Sequence, residues 1–229
     1  MTQSPVQTYF FPFVYIVDSP SSQDLFNGYS IGMALRDALD AIRIPCIYTL
    51  ATNKQTFEQA LQQKLQSSIF QYQTSPSVNA YPFIHLCMHG ANEGIALTDN
   101  SYLNWSELRK NLFYHNQIKG YDPMVCMASC NGINGASMAH AYDSVFNVLI
   151  GNTDAVLQSD VTVAYLAFYN QIFNKNATLD QAIAAMRNAT GDHNFYYSVG
   201  QQIKNQKLKE IIDQNTQPLS IIPFTMTNN

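Results

Sequence analysis

Residues 81–94 read YPFIHLCMHGANEG, an apolar run that ends on His89 and Gly90. The polar, Pro-containing loop QTSPSVNAYP (73–82) precedes it, so FIHLCMHG (83–90) predicts a buried strand that stops at the glycine. Four further runs have the same character: PFVYIVDSP (12–20), PCIYTLAT (45–52), DPMVCMASC (122–130) and SVFNVLIGNTDAV (144–156). Between them the apolar period changes to that of a helix. Ile31, Leu35, Ala38, Leu39 and Ile42 mark one helix over 22–43, and Phe57, Leu61, Leu65 and Ile69 mark a second. IALTDNSYLNW (95–105) reads as a small hairpin, after which Asn104 and Glu107 form a capping-box pattern that opens WSELRKNL. Helices are expected over 160–174 and 178–189, while the Gln- and Asn-rich segment 201–229 gives no firm signal. Strands alternating with helices predict an α/β fold, a mostly parallel central sheet flanked by helices on both faces.

In such sheets ligands bind outside the carboxyl ends of the strands. His89 ends one strand and Cys130 another, so two residues able to do chemistry fall on one edge. An imidazole can take the proton of a thiol and stabilise the thiolate, and that suits this pair. Gly90 lacks a Cβ and so lets a substrate carbonyl approach its N–H, with the Cys130 N–H as a second donor to an oxyanion. The turn NGING (131–135) is expected to start a helix whose N-terminal field favours a thiolate. Taken singly, a His or Cys at a strand end is far more often structural than catalytic, and the pair is better evidence than either residue. Cys87, Cys126 and His85 lie within apolar runs and are assigned to the core. Cys87, His89, Cys126 and Cys130 offer possible ligands for a zinc site of two Cys, one His and one more ligand, but structural zinc ligands usually come from tight knuckles rather than strand interiors. NGING lacks the Lys-Ser/Thr ending of a phosphate loop.

The 229 residues suffice for one domain over 1–229 and are few for two. With 12% charged residues and a net charge of −4, nothing points to nucleic acid or to a basic membrane-binding surface. No run is long enough to span a bilayer, and the opening MTQSPVQTYFFPFVYIV lacks the basic start of an export signal. Four cysteines in that setting read as cytoplasmic thiols.

FIHLCMHG, the small hairpin and MVCMASCNG (124–132), in that order, resemble the His-Gly and Ser/Ala-Cys motifs of caspase-like cysteine peptidases. Among these the chain is most similar to bacterial CHAT-domain proteins, whose C-terminal half resembles residues 148–189 here. The resemblance implies a caspase-like three-layer sandwich. It implies that Cys130 is the nucleophile and His89 its base, with an oxyanion hole from the N–H groups of Gly90 and Cys130. The implied reaction is hydrolysis of a peptide bond through a thioester, without a metal or organic cofactor and without a carboxylate to orient the histidine. The partner would be a protein or peptide substrate, with activity held in check until autocleavage or a regulatory subunit releases it. Relatives that cleave after Lys or Arg place acidic residues near strand ends, which makes Asp18 and Asp154 the candidate substrate-binding residues. Loop or capping duty is the alternative for each. Ala128-Ser129 stands where metacaspase-like patterns carry an acidic lead-in to the cysteine. Two other readings stay open: an inactive caspase-like interaction module, and a thiol hydrolase acting on a small substrate.

Overall fold

Apolar residues on both faces of a strand require cover on both sides, and here that produces three layers. The computed structural model describes residues 9–119 and 122–216. Its strands are β1 (Tyr9–Ser19), β2 (Cys46–Leu50), β3 (Val78–Ala91), β4 (Gly94–Ala96), β5 (Tyr102–Asn104), β6 (Met124–Ala128), β7 (Val148–Asn152) and β8 (Phe195–Val199). They form one sheet in the order β2-β1-β3-β6-β7-β8, with the β4–β5 hairpin attached to the end of β3. Along that order pairing is parallel as far as β7 and β8 is antiparallel, and the hairpin strands β4 and β5 also pair antiparallel.

The helices are α1 (Ser22–Phe26), α2 (Ile31–Ala41), α3 (Lys54–Gln59), α4 (Leu65–Tyr72), α5 (Trp105–Lys119), α6 (Gln158–Tyr169), α7 (Leu179–Thr190) and α8 (Gly200–Thr216). Phe13, Tyr15 and Val17 of β1 pack with Phe57, Leu61 and Leu65 on one face, under α3, α4 and α5. Val14 and Ile16 point the other way, towards Leu35, Leu39, Tyr165 and Phe168 of α2 and α6. Each such side chain, fully removed from water, contributes about 1.5–3 kcal/mol. A π-helical turn at Ala60–Lys64 joins α3 to α4, and the Tyr15 hydroxyl donates to the Ala60 carbonyl at 2.7 Å. On the opposite face the Tyr165 hydroxyl lies 3.0 Å from the Met127 carbonyl and 3.2 Å from that of Ile150, bracing β6 and β7.

Several expectations change. The helix expected over 22–43 is two helices, because Gly28 adopts φ +74° and Ser30 caps a new start by accepting from the Met33 N–H. The NGING turn leads into a 3₁₀ segment, Gly132–Met138, and not an α-helix, so this segment gives Cys130 no long helix dipole. Within the segment left open at 201–229, the chain is helical to Thr216, and the remainder lies outside the described residues. β8 gave too weak a pattern to be expected: only Phe195 is buried in FYYSV.

Candidate active site

The register of the sheet decides which strand-end residues meet. β1 pairs Asp18 with Cys87, and β6 pairs Ala128 with the same Cys87, so these three form a row across neighbouring strands. Cys87 and Ala128 face the core of α2 and α6. Side chains alternate along a strand, so the residue two further on returns to the same face. Two beyond Cys87 is His89, and two beyond Ala128 is Cys130. The pair expected from the sequence thus falls on one edge of the sheet, His89 near the end of β3 and Cys130 in the turn just after β6. Asp18, Cys87, His89, Ala128 and Cys130 all line a single cavity of about 200 Å³.

The backbones of the two segments touch. A Cβ on Gly90 would lie 2.0 Å from the Cys130 carbonyl oxygen and 2.9 Å from the Ser129 Cβ. The space where a Gly90 side chain would stand is filled by the Cys130 backbone. Gly90 is required so that the His89 and Cys130 segments can lie in contact. Beyond Cys130, Asn131 takes a left-handed conformation at φ 53°, and its N–H donates to the Asp154 carbonyl at 3.0 Å. This bond draws the loop after β7 over the thiol, where the Val156 N–H lies 3.5 Å from Sγ.

His89 is half exposed, and its Nε2 lies 3.7 Å from Oδ2 of Asp24. Sequence reasoning missed Asp24. The usable signal was Ser21-x-x-Asp24, a capping pattern at the start of α1. Ser21 Oγ donates to Asp24 Oδ2 at 2.7 Å and accepts from the Asp24 N–H at 3.0 Å. Gln158 Nε2 reaches the same Oδ2 from the start of α6 at 3.4 Å. The Ser21 bond holds the Asp24 carboxyl below its ordinary value against an opposing desolvation, with smaller lowering contributions from Gln158 and His89.

Asp18 is buried on the cavity floor, where it accepts from the hydroxyls of Ser30 and Tyr48, the latter at 3.0 Å. The N–H groups of Gly32 and Ser19 also bond to it. Burial raises its carboxyl above the ordinary value, and these hydrogen bonds oppose the rise. Asp154 is placed differently. It is exposed, bonds the Ala155 N–H at 2.7 Å and is absent from the cavity wall, so loop duty accounts for it. Cys87, Cys126 and His85 are buried as expected. Among the described residues no group of three or more His, Cys, Asp or Glu is placed to hold a metal ion. No helix among them is long and apolar enough to cross a membrane.

A mostly parallel sheet between two helical layers, with a short hairpin after the third strand, is the caspase-like α/β fold. The chain resembles the X-ray structure of a secreted C11 cysteine protease, iotapain, from Bacteroides thetaiotaomicron, with a TM-score of 0.58. The match covers 91% of this chain and 72% of that one at 14% identity, a level at which the fold is what is shared. No protein-family model and no curated protein matches the sequence.

Proposed function

We propose that the protein is a cysteine endopeptidase in which Cys130 is the nucleophile and His89 the general base. The observation that supports this reading is that His89 and Cys130, from the ends of neighbouring strands, line one cavity together with the buried Asp18. His89 takes the proton of the Cys130 thiol, and the sulfur bonds to the scissile carbonyl carbon while the N–H groups of Gly90 and Cys130 hold the oxyanion. The C–N bond then breaks and His89 returns the proton to the leaving amine. Water, deprotonated by His89, cleaves the thioester and frees the thiol.

Asp18, on the floor below, suits a cationic side chain and selects Lys or Arg before the scissile bond. Asp154 has no part in this pocket. The loop after β7 covers Sγ, with the Val156 N–H 3.5 Å away, which supports activity released by autocleavage or by a regulatory subunit. The His-Gly and Ser-Cys motifs support the CHAT type within the class, and the free cysteines support a cytoplasmic setting.

A cysteine-directed probe and a peptide series differing only at the residue before the cut test the reading. Labelling at Cys130 should disappear in Cys130→Ala and weaken in His89→Ala, and turnover in Cys130→Ala should fall by at least about 10³-fold. Asp18→Asn should lower kcat/KM for Lys and Arg peptides by on the order of 10²-fold and leave neutral ones little changed. Labelling without turnover of any peptide would favour a thiol hydrolase of small substrates. Loss of both labelling and turnover in the wild-type protein would leave an interaction module.

A further inference from the structure

We propose that Asp24 is a positioning residue for His89, which makes the site a Cys130–His89–Asp24 triad. The inference rests on the peptidase reading above. Its first support is geometric: the carboxylate faces Nε2 at 3.7 Å, on a ring that is half exposed and so has little packing to fix it. A carboxylate at Nε2 favours the tautomer with its proton there and leaves Nδ1 as the basic nitrogen for the thiol. The same charge stabilises the imidazolium that forms when Cys130 gives up its proton.

The second support is that Asp24 is itself held. Oδ2 accepts from Ser21 Oγ at 2.7 Å and lies 3.4 Å from Gln158 Nε2 across the cavity mouth. Gln158 follows by two residues the Val156 that contacts the thiol, so one carboxylate links α1 to the start of α6, beside the loop over Cys130. The third is that core packing does not explain where α1 sits. It has no buried residue, and Phe26 is 86% exposed. Polar ties from Ser21, Asp24 and Gln158 keep it beside His89.

The test is steady-state kinetics of the full chain on the best peptide from the series above, with alkylation of Cys130 by iodoacetamide as a second readout. Asp24→Asn should lower kcat by roughly 10²-fold with KM changed by less than about twofold, and it should slow alkylation. Asp24→Glu should recover a substantial part of both. Unchanged kcat and alkylation in Asp24→Asn overturn the proposal. A loss confined to KM also overturns it, because Asp24 would then bind substrate instead of orienting the histidine. If Asp24→Asn does not fold, Gln158→Leu removes one of its ties and should lower kcat several-fold, and wild-type kinetics in that variant count against the triad. Turnover that persists in Cys130→Ala would mark failure of the peptidase reading itself, an outcome distinct from any effect at Asp24.

Discussion

At the scale of single residues, Gly90 illustrates how the site is closed. Its missing side chain lets two strand ends touch, and no rotamer change can relieve a Cβ placed 2.0 Å from a backbone oxygen. Gly90→Ala must therefore push the Cys130 turn aside. The expected cost is about 1–3 kcal/mol, as for other overpacked sites, together with loss of Cys130 labelling. Urea denaturation and the cysteine probe measure the two effects separately, and full labelling in a destabilised variant would show that the turn had not moved. His89, Gly90 and Cys130 were legible because strand ends announce themselves by composition. Asp24 was not, since its tie to Gln158 spans 134 residues of chain and no local pattern encodes it. Asp154 misled for the converse reason. Its position after β7 matched the pattern, but its carboxylate bonds the next residue's N–H instead of turning inward. Asp18 also carries a pH expectation. Its carboxyl is raised by burial, so as pH falls through that raised value the charge is lost and KM for Lys and Arg peptides should rise. The KM of neutral peptides should not follow it.

Among the elements, the strands and long amphipathic helices were legible because periodicity and burial agree. The capping pattern at α5 also held: Asn104 Oδ1 accepts from the Glu107 N–H at 2.9 Å, and Glu107 Oε2 accepts from the Asn104 N–H at 3.0 Å. Replacing Asn104 by Ala should cost about 1 kcal/mol in urea denaturation while leaving Cys130 labelling unchanged, because α5 covers the face away from the cavity. The break between α1 and α2 was hidden by helical spacing that runs on from Ile31. It has a functional consequence, since the turn at Gly28 brings Tyr29 to the cavity and Ser30 to Asp18. An unbroken helix would have supplied neither.

For the whole molecule, the sheet separates two cores, and the one below the cavity contains a fully buried histidine. His85 Nδ1 lies 2.9 Å from the Tyr169 hydroxyl, and its ring meets Tyr165 edge-on at 4.5 Å. Its Nε2 is buried with no hydrogen-bond partner among the described residues, so a proton added there has no acceptor. Burial accordingly lowers its value from 6.5 to about 3. Between those two values the unfolded chain binds a proton that the native chain does not, so unfolding free energy rises with pH, by about 1.4 kcal/mol per unit. The contribution of His85 is thus complete above 6.5 and lost as pH falls. Asp18 acts in the opposite sense: its native carboxyl is raised above 3.8, so the native state holds the extra proton and its contribution falls as pH rises through that window. A variant difference separates the two. His85→Phe keeps an aromatic ring against Tyr165 and removes the bond between the Tyr169 hydroxyl and Nδ1, a cost that does not depend on pH, while Asp18 is common to both proteins. Urea denaturation at pH 7 and pH 5 should therefore show wild type losing stability relative to His85→Phe by at least about 1 kcal/mol on acidification. Parallel pH curves for the two proteins would mean that His85 is not held neutral in the native core.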